Sequence, residues 1–313
     1  LNFFMNKLLK VLAASALVAT VLVGCGKKNE TTTSGEEGAK YAKAGFGMVT
    51  TISDGKVNTT MATVGLDKDG KVNYIDVDCA QQDTEATGDN LLSKYEKKEK
   101  YNMKGQSPIG KEWNEQIDAY KAWANGKTLE EVANVETMDF HGGKAAKTGS
   151  ELAAGCTIVI DDIQAAVAKA GENMTDVSAD KMGAGEVTTI SDGKVNTTTA
   201  SVAVDKDGKI VWSWVDCAQQ DTEATGDNLL SKYEKKEKYN MKGQSPIGKE
   251  WNEQIDAYKA WANGKTLEEV ANVETMDFHG GKAAKTGSEL AAGCTIVIDD
   301  IQAAMAEAGE TLQ

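Results

Sequence analysis

The chain has 313 residues, with 34 basic and 48 acidic side chains, a formal net charge of −14 and 41% apolar residues. This length indicates about two domains, and the apolar fraction excludes a wholly disordered chain. Because such a negative chain repels phosphates, we expect no nucleic-acid partner. All 34 basic residues are lysine, so a bound phosphate would need lysine, hydroxyl or backbone N–H groups, or a covalent bond.

The first 24 residues have the pattern of a secretory signal peptide. Two lysines precede the apolar run 11–23, which is too short to span a bilayer. The run ends at Leu22-Val23-Gly24-Cys25, which resembles the bacterial lipobox, where cleavage before the cysteine leaves a lipidated N-terminus. We interpret residues 25–40 as lipidated Cys25 and a polar tether. We therefore expect a lipid-anchored protein on the extracellular face of the cell membrane; the alternative is an ordinary signal peptide with a chance cysteine.

The rest of the chain contains two copies of one sequence. Residues 79–166 recur without change as residues 217–304. A repeat of this length corresponds to a whole domain rather than to a solenoid unit. We expect domain 1 over residues 41–172, a linker over 173–182 and domain 2 over 183–313.

Each copy opens with strand patterns. In domain 1 these lie near residues 46–52, 57–66 and 72–80. They are separated by Asp54-Gly55 and by the Asp-Lys-Asp-Gly turn at 67–70, whose residues tolerate positive φ. The spacing predicts an antiparallel β-meander.

The third strand separates its side chains onto two faces. Alternation places Ile75, Val77 and Cys79 on one face, and Trp212 and Trp214 on the opposite face in the second copy. The tryptophans are candidates for stacking on a flavin or a partner, although packing is the commoner role of such pairs.

Helical patterns follow the strands. We predict an amphipathic helix from Ser107 to Asn125 and a short helix opened by the capping box at Thr128. Residues 157–160 form a β-branched run that leads into a helix over 161–170. The core face of that last helix is predicted to hold Ile163, Ala166, Val167 and Ala170. Strands followed by helices predict an α+β fold: in each copy, an antiparallel β-meander followed by helices.

Familiar catalytic motifs are missing from the sequence. The two histidines, His141 and His279, lie one in each copy, so neither domain has a histidine pair for a metal site or proton relay. Each lies in a loop-like Asp-Phe-His-Gly-Gly segment, where a solvated or packing role is expected. Walker, dinucleotide and Gly-x-Ser-x-Gly motifs are also lacking, which disfavours the usual hydrolases and dehydrogenases.

Apart from Cys25, each copy has two cysteines. These are Cys79 and Cys156 in the first copy and Cys217 and Cys294 in the second. Outside the cytoplasm, two cysteines in a domain favour one intradomain disulfide. The alternative is a pair of buried, reduced thiols.

The seven residues 151–157, Glu-Leu-Ala-Ala-Gly-Cys-Thr, recur as residues 289–295. They resemble the flavinylation motif Asp-x-x-[Ser/Thr]-Gly-Ala-Thr of FMN-binding domains, in which a flavin transferase joins the FMN phosphate to the final threonine. The resemblance implies covalent FMN on Thr157 and Thr295, one phosphoester in each domain.

The resemblance also assigns the residues next to each threonine to the cofactor site. These residues are Gly155, Gly293, Cys156 and Cys294. The glycines would let the backbone approach the phosphate. The chain departs from the motif by having glutamate for aspartate, alanine for the hydroxyl residue and cysteine for alanine.

A longer set of segments is similar to the repeated domain of PplA-type flavoproteins, which are lipoproteins with two FMN-binding domains. The similarity is carried by residues 101–117, the turn at 67–71 and the ending at 154–170. It covers both domains and the lipobox. The resemblance implies two tandem FMN-binding-type domains of α+β fold.

The implied function is a membrane-anchored electron carrier. It would accept electrons from a membrane quinol-linked reductase and pass them to extracellular acceptors through its two flavins. An FMN-dependent extracellular reductase is a variant of this role. The alternative is a non-redox surface lipoprotein, an adhesion or ligand-binding module that keeps the fold without flavin.

Overall fold

The computed structural model describes residues 38–313. The signal peptide, Cys25 and most of the predicted tether lie outside the described residues. Within them the protein is α+β, and every sheet is antiparallel. The predicted fold class is confirmed at this level.

The first domain is built from long strands followed by helices. Its strands are β1 (Tyr41–Ser53), β2 (Lys56–Leu66), β3 (Val72–Gln82), β4 (Thr137–Phe140), β5 (Gly143–Ala146) and β6 (Thr175–Ala179). Its helices are α1 (Lys94–Lys97), α2 (Trp113–Ala124), α3 (Leu129–Ala133) and α4 (Asp161–Glu172).

The second domain repeats this order. Its strands are β7 (Lys181–Ser191), β8 (Lys194–Val204), β9 (Ile210–Gln220), β10 (Thr275–Phe278) and β11 (Gly281–Ala284). Its helices are α5 (Lys232–Lys235), α6 (Trp251–Ala262), α7 (Leu267–Ala271) and α8 (Asp299–Glu310).

The predicted meander is confirmed, and each strand is longer than predicted. β1 pairs with β2 and β2 with β3, both antiparallel. Asp54 and Gly55 have φ of 52° and 68°, the positive values that a tight hairpin turn of this type requires. Ile75, Val77 and Cys79 share one face of β3, as the alternation predicts, and this face packs in the same core as the helices.

Two glycines on β1 allow α4 to lie directly on the sheet. A Cβ on Gly47 would clash with the Ala166 carbonyl oxygen and would come within 2.6 Å of the Ala170 nitrogen. A Cβ on Gly45 would clash in the same way with the Ala170 carbonyl oxygen. The predicted core face of α4 is fully buried against this sheet.

Two predicted elements differ from the structure. α2 begins at Trp113 rather than at Ser107, because Glu112 caps the helix in a reciprocal pair with Glu115. The Ser107 hydroxyl instead accepts hydrogen bonds from backbone N–H groups two and four residues later, which folds residues 107–111 into a turn. The β-branched run 157–160 is not a strand, because its single bridge joins Val159 to β5.

The segment predicted as a linker, residues 173–182, contributes to the sheet of domain 1. It contains β6, which pairs antiparallel with β1 and extends the sheet order to β3-β2-β1-β6. β7 then begins at Lys181. The connection between the domains is therefore an ordered strand.

The two sheets pack against each other through the faces opposite their helices. The shared apolar cluster contains Tyr41, Ala44, Phe46, Met48, Met61, Tyr74 and Ala80 with Ala179, Met182, Ala203, Trp212 and Ala218. Trp214 stacks on Phe46 across this interface, with ring centroids 6.1 Å apart. The tryptophan pair thus has the packing role that was the commoner expectation.

The interface has approximate two-fold symmetry. The hydroxyl oxygens of Thr63 and Ser201 lie 2.6 Å apart and are buried. These residues occupy equivalent positions in the two copies, so the symmetry axis passes close to this contact.

Within residues 38–313, no helix combines the length and the apolar character that a membrane crossing requires.

Candidate functional site

Thr157 lies on the segment just before α4, and both its hydroxyl and its backbone N–H donate hydrogen bonds. Its hydroxyl donates to Gln116 Oε1 at 3.1 Å, and its backbone N–H donates to the same oxygen at 2.8 Å. Thr295 makes the same pair of bonds to Gln254 at the same distances. Both predicted attachment residues are partly exposed, so their oxygens are held in place beside solvent.

Gln116 on α2 is completely buried and organises this corner of the domain. Its amide nitrogen donates to Ser107 Oγ and to the Lys111 carbonyl, each at 3.2 Å. These bonds fix which end of the amide faces Thr157. The side-chain carbonyl of Gln116 is thereby the acceptor that orients the threonine hydroxyl.

Thr157 borders a cavity of about 390 Å³, which we call the site cavity. This volume is within the range of small-molecule sites. Aromatic and polar side chains form its walls, including Lys94, Tyr101, Trp113, Gln116, Phe140 and His141. An adjoining cavity of about 340 Å³ shares Lys94, Trp113 and His141 and adds Asn58, Cys79 and Asp162.

Lys94 is the cation of the site cavity. It is the first residue of α1, which Ser93 and Glu96 cap reciprocally. Its ammonium lies 5.5 Å from the ring centroid of Tyr101 and 5.9 Å from that of Trp113, within the range of cation–π contacts. No salt bridge to Lys94 forms among the described residues.

Asp162 is the acidic group near this lysine. Burial raises its pKa, and a hydrogen bond from Thr51 at 3.0 Å, together with the charge of Lys94, opposes that increase. The position of α1 itself depends on Asp78, whose carboxylate accepts from Ser93 Oγ at 2.6 Å and from the Tyr95 N–H at 3.1 Å.

Domain 2 has the same arrangement of cation and rings. Lys232 lies 5.5 Å from the Tyr239 ring and 5.8 Å from the Trp251 ring. Thr295 lines a groove of about 490 Å³ together with Thr286 and Ser288. These two hydroxyls are the nearby alternatives for a modification of Thr295.

The glycines and cysteines of the motif lie away from the cavity walls. A Cβ on Gly155 would be 2.7 Å from Ala119 Cβ, so this glycine allows the segment to pack on α2; Gly293 has the same relation to Ala257. Cys156 and Cys294 are fully buried in the two cores. Burial raises the pKa of each thiol to about 11, which keeps it protonated and unreactive at neutral pH.

The predicted disulfides are wrong. Cys79, Cys156, Cys217 and Cys294 are all free and buried. Cys79 lies on β3 beside Lys94, whereas Cys156 follows the turn at 152–154 and lies next to Tyr120. The two thiols of a domain therefore share a core without facing each other, which corresponds to the alternative of buried thiols.

His141 lies in the turn of the β4–β5 hairpin, as its loop-like sequence predicts. Its φ of 46° is in the left-handed region, and its ring meets that of Phe140 edge-on at 4.2 Å. The same ring borders both cavities. The histidine thus belongs to the candidate site in addition to its packing role.

Sequence reasoning missed most of the cavity wall. Lys94, Trp113 and Gln116 come from separate elements, and no motif joins them. The Ser93–Glu96 capping box could have placed Lys94 at the start of a helix, but nothing in its spacing indicates a ligand.

No three His, Cys, Asp or Glu side chains in residues 38–313 are grouped so that they could hold a metal ion. Comparisons of the chain with protein-family models, with curated proteins and with solved structures each find no match.

Proposed function

We propose that this protein is a lipid-anchored extracellular electron carrier with one FMN joined to Thr157 and another to Thr295. The observation that supports it best is the placement of the Thr157 hydroxyl at the rim of a cavity with aromatic walls and one cation. In domain 2 the same cation and rings recur as Lys232, Tyr239 and Trp251. A flavin joined through its phosphate needs a reachable hydroxyl, flat apolar surfaces for its ring system and a positive group for its anionic parts.

The side chains of the site cavity supply each of these requirements. Trp113 and Tyr101 provide ring surfaces, and Lys94 provides a positive charge that forms no salt bridge with a carboxylate of residues 38–313. FMN would supply one- and two-electron redox chemistry. The protein would hold the cofactor, limit its contact with water and set its electrostatic surroundings.

A covalent link also suits a chain without arginine. An extracellular cofactor is lost by diffusion unless it is held tightly, and a chain without guanidinium groups cannot clamp a phosphate with bidentate hydrogen bonds. A phosphoester to threonine removes both difficulties. The proposed electron donor is a membrane quinol-linked reductase, and the proposed acceptors are extracellular.

The attachment is tested by expressing the chain with a flavin transferase and mapping flavin by peptide mass spectrometry. Cleavage after lysine gives peptides 148–169 and 286–313, which differ in sequence beyond the repeat, so each domain is read separately. We expect flavin on Thr157 and Thr295, and none on the domain that carries Thr157→Val or Thr295→Val. The unchanged domain of each single variant serves as the control.

Three results would contradict this proposal. Flavin found on Thr148 or Ser150 would move the attachment point, and flavin retained by the double valine variant would exclude both threonines. Wild-type protein without flavin after expression with the transferase would favour a non-redox surface lipoprotein.

The proposed anchor has its own test. We expect Cys25→Ser to abolish lipidation and release the chain from the membrane fraction. A serine variant that stays membrane-bound and is processed normally would refute the lipobox assignment without affecting the flavin sites.

A further inference from the structure

The two copies differ at the interface where they meet. Residues 79–166 and 217–304 are identical, yet Met48 corresponds to Glu186 and Lys169 to Glu307. The two-fold symmetry of the interface places these differences at two equivalent edges. We call them the Lys169 edge and the Glu186 edge.

The Lys169 edge has balanced charges. Lys169 on α4 donates to Glu234 Oε1 on α5 at 2.6 Å, and its ammonium also donates to the Met48 carbonyl at 2.9 Å. About a third of each side chain is exposed. A cation from domain 1 thus joins an anion from domain 2 across the interface.

The Glu186 edge has acidic groups in the corresponding places. Glu186 stands where the first copy has a methionine, and Glu307 stands where it has the lysine. Glu186 lies near Glu307, near Asp78 and near Glu96, the equivalent of Glu234. Carboxyl groups from both domains are therefore gathered at one edge of a packed interface.

Glu186 is the most enclosed member of this group. It is 7% exposed, and neither carboxyl oxygen has a hydrogen-bond partner. The groups that face it are Asp78 and the Cys79 thiol on β3, Glu96 on α1 and Glu307 on α8. On β8, the residue that pairs with Glu186 is Thr199, which carries no charge.

We propose that the Glu186 edge is a proton-dependent contact between the domains, closed when the Glu186 carboxyl is protonated and loosened when it ionises. An ionised carboxylate at this position would be out of water and surrounded by other acids, which is unfavourable on both counts. Burial, followed by the charges of Asp78, Glu307 and Glu96, raises the pKa of Glu186 well above its usual value. Within residues 38–313 these acids are not grouped so that they could hold a metal ion.

The direction of the pH dependence follows from proton uptake on closing. Below the ordinary pKa of 4.5, Glu186 is protonated whether the edge is open or closed, so pH has no effect. Above it, closing requires one proton, and the ratio of closed to open molecules falls about tenfold for each pH unit until the pKa of the closed form is reached. The inference is independent of the proposed flavin.

Hydrogen exchange of the purified full chain tests this proposal. Peptides from β1 and β7 differ in sequence and report the Lys169 edge and the Glu186 edge, whereas peptides from α1 and α5 are identical and cannot be told apart. After correction for intrinsic rates, we expect protection of β7 to fall from about pH 5 to about pH 8 while that of β1 stays level.

Two variants at Glu186 and one at Glu307 distinguish an effect of protonation from an effect of side-chain packing. Glu186→Gln is a neutral mimic of the protonated acid, and Glu186→Met copies the other edge. Both should remove the part of the fall in β7 protection that Glu186 causes and leave only the part that comes from Asp78, because burial raises the pKa of Asp78 to about 7. Glu307→Lys should close the edge at high pH by restoring the charge pair. Glu310→Gln, at an exposed position on the same helix, should behave like wild type.

Two outcomes would overturn the proposal. Equal pH dependence in wild type and Glu186→Gln would show that another group titrates. Protection of β7 that rises on replacing sodium by potassium at constant pH would identify a cation, not a proton, as the ligand of this edge.

Discussion

Replacing Gln116 with leucine tests how the threonine hydroxyl is positioned. Leucine has a similar volume and fits a buried site without leaving a cavity. It cannot accept from the Thr157 N–H and hydroxyl or donate to the Lys111 carbonyl and Ser107. The Ser107 hydroxyl still accepts hydrogen bonds from two backbone N–H groups. The groups that lose their partner are therefore mainly the Thr157 N–H and the Lys111 carbonyl.

The magnitude follows from the two backbone groups that lose their partner. A buried polar group without a hydrogen bond costs about 1 to 3 kcal/mol. Both bonds are only partly buried, so water can satisfy some of the loss. We expect Gln116→Leu to lower the free energy of unfolding of domain 1 by about 2 to 4 kcal/mol.

Equilibrium unfolding in urea measures this loss. Because two domains can unfold in separate steps, the transition of domain 1 is assigned by comparison with Gln254→Leu, which weakens domain 2. Gln106→Leu is the matched control, since Gln106 borders the same cavity but is exposed; its effect should be within about 0.5 kcal/mol. A loss for Gln116→Leu no larger than this control would refute the role given to the amide.

Three further predictions concern packing, thiols and pH. Gly47→Ala should destabilise domain 1 by about 1 to 3 kcal/mol in the same urea assay, because its Cβ meets the backbone of α4, whereas Gly105→Ala has open space and should be neutral. Cys79 and Cys156 should resist alkylation in the folded protein and react fully in denaturant without reductant. If alkylation in denaturant needed a reductant, the two cysteines would form a disulfide after all. Burial raises the pKa of Asp216 to about 6, so the folded protein favours the protonated form of this side chain. The stability that comes from this preference is complete below the ordinary pKa of 3.8 and is lost as the pH rises to about 6. Thermal unfolding of Asp216→Asn should lack that component, and a pH profile equal to wild type would contradict it.

Local sequence patterns determined much of the fold. Alternation predicted which residues of β3 share a face, the Asp54-Gly55 turn predicted the first hairpin, and the Thr128 capping box predicted the start of α3. Each of these features depends on residues only a few positions apart. The flavinylation motif likewise marked Thr157 and Thr295 as candidates from seven contiguous residues.

Only the tertiary structure decided which side chains surround those threonines. Lys94, Trp113 and Gln116 belong to different elements, and they meet because the helices pack on one face of the meander. The same holds for the cysteines, whose even number favoured pairing although their positions in the core keep them apart. Periodicity records which face of an element is buried, but it does not record which distant residue covers that face. For the same reason the sequence alone could not show that Glu186 and Glu307 come together with acids of the other domain.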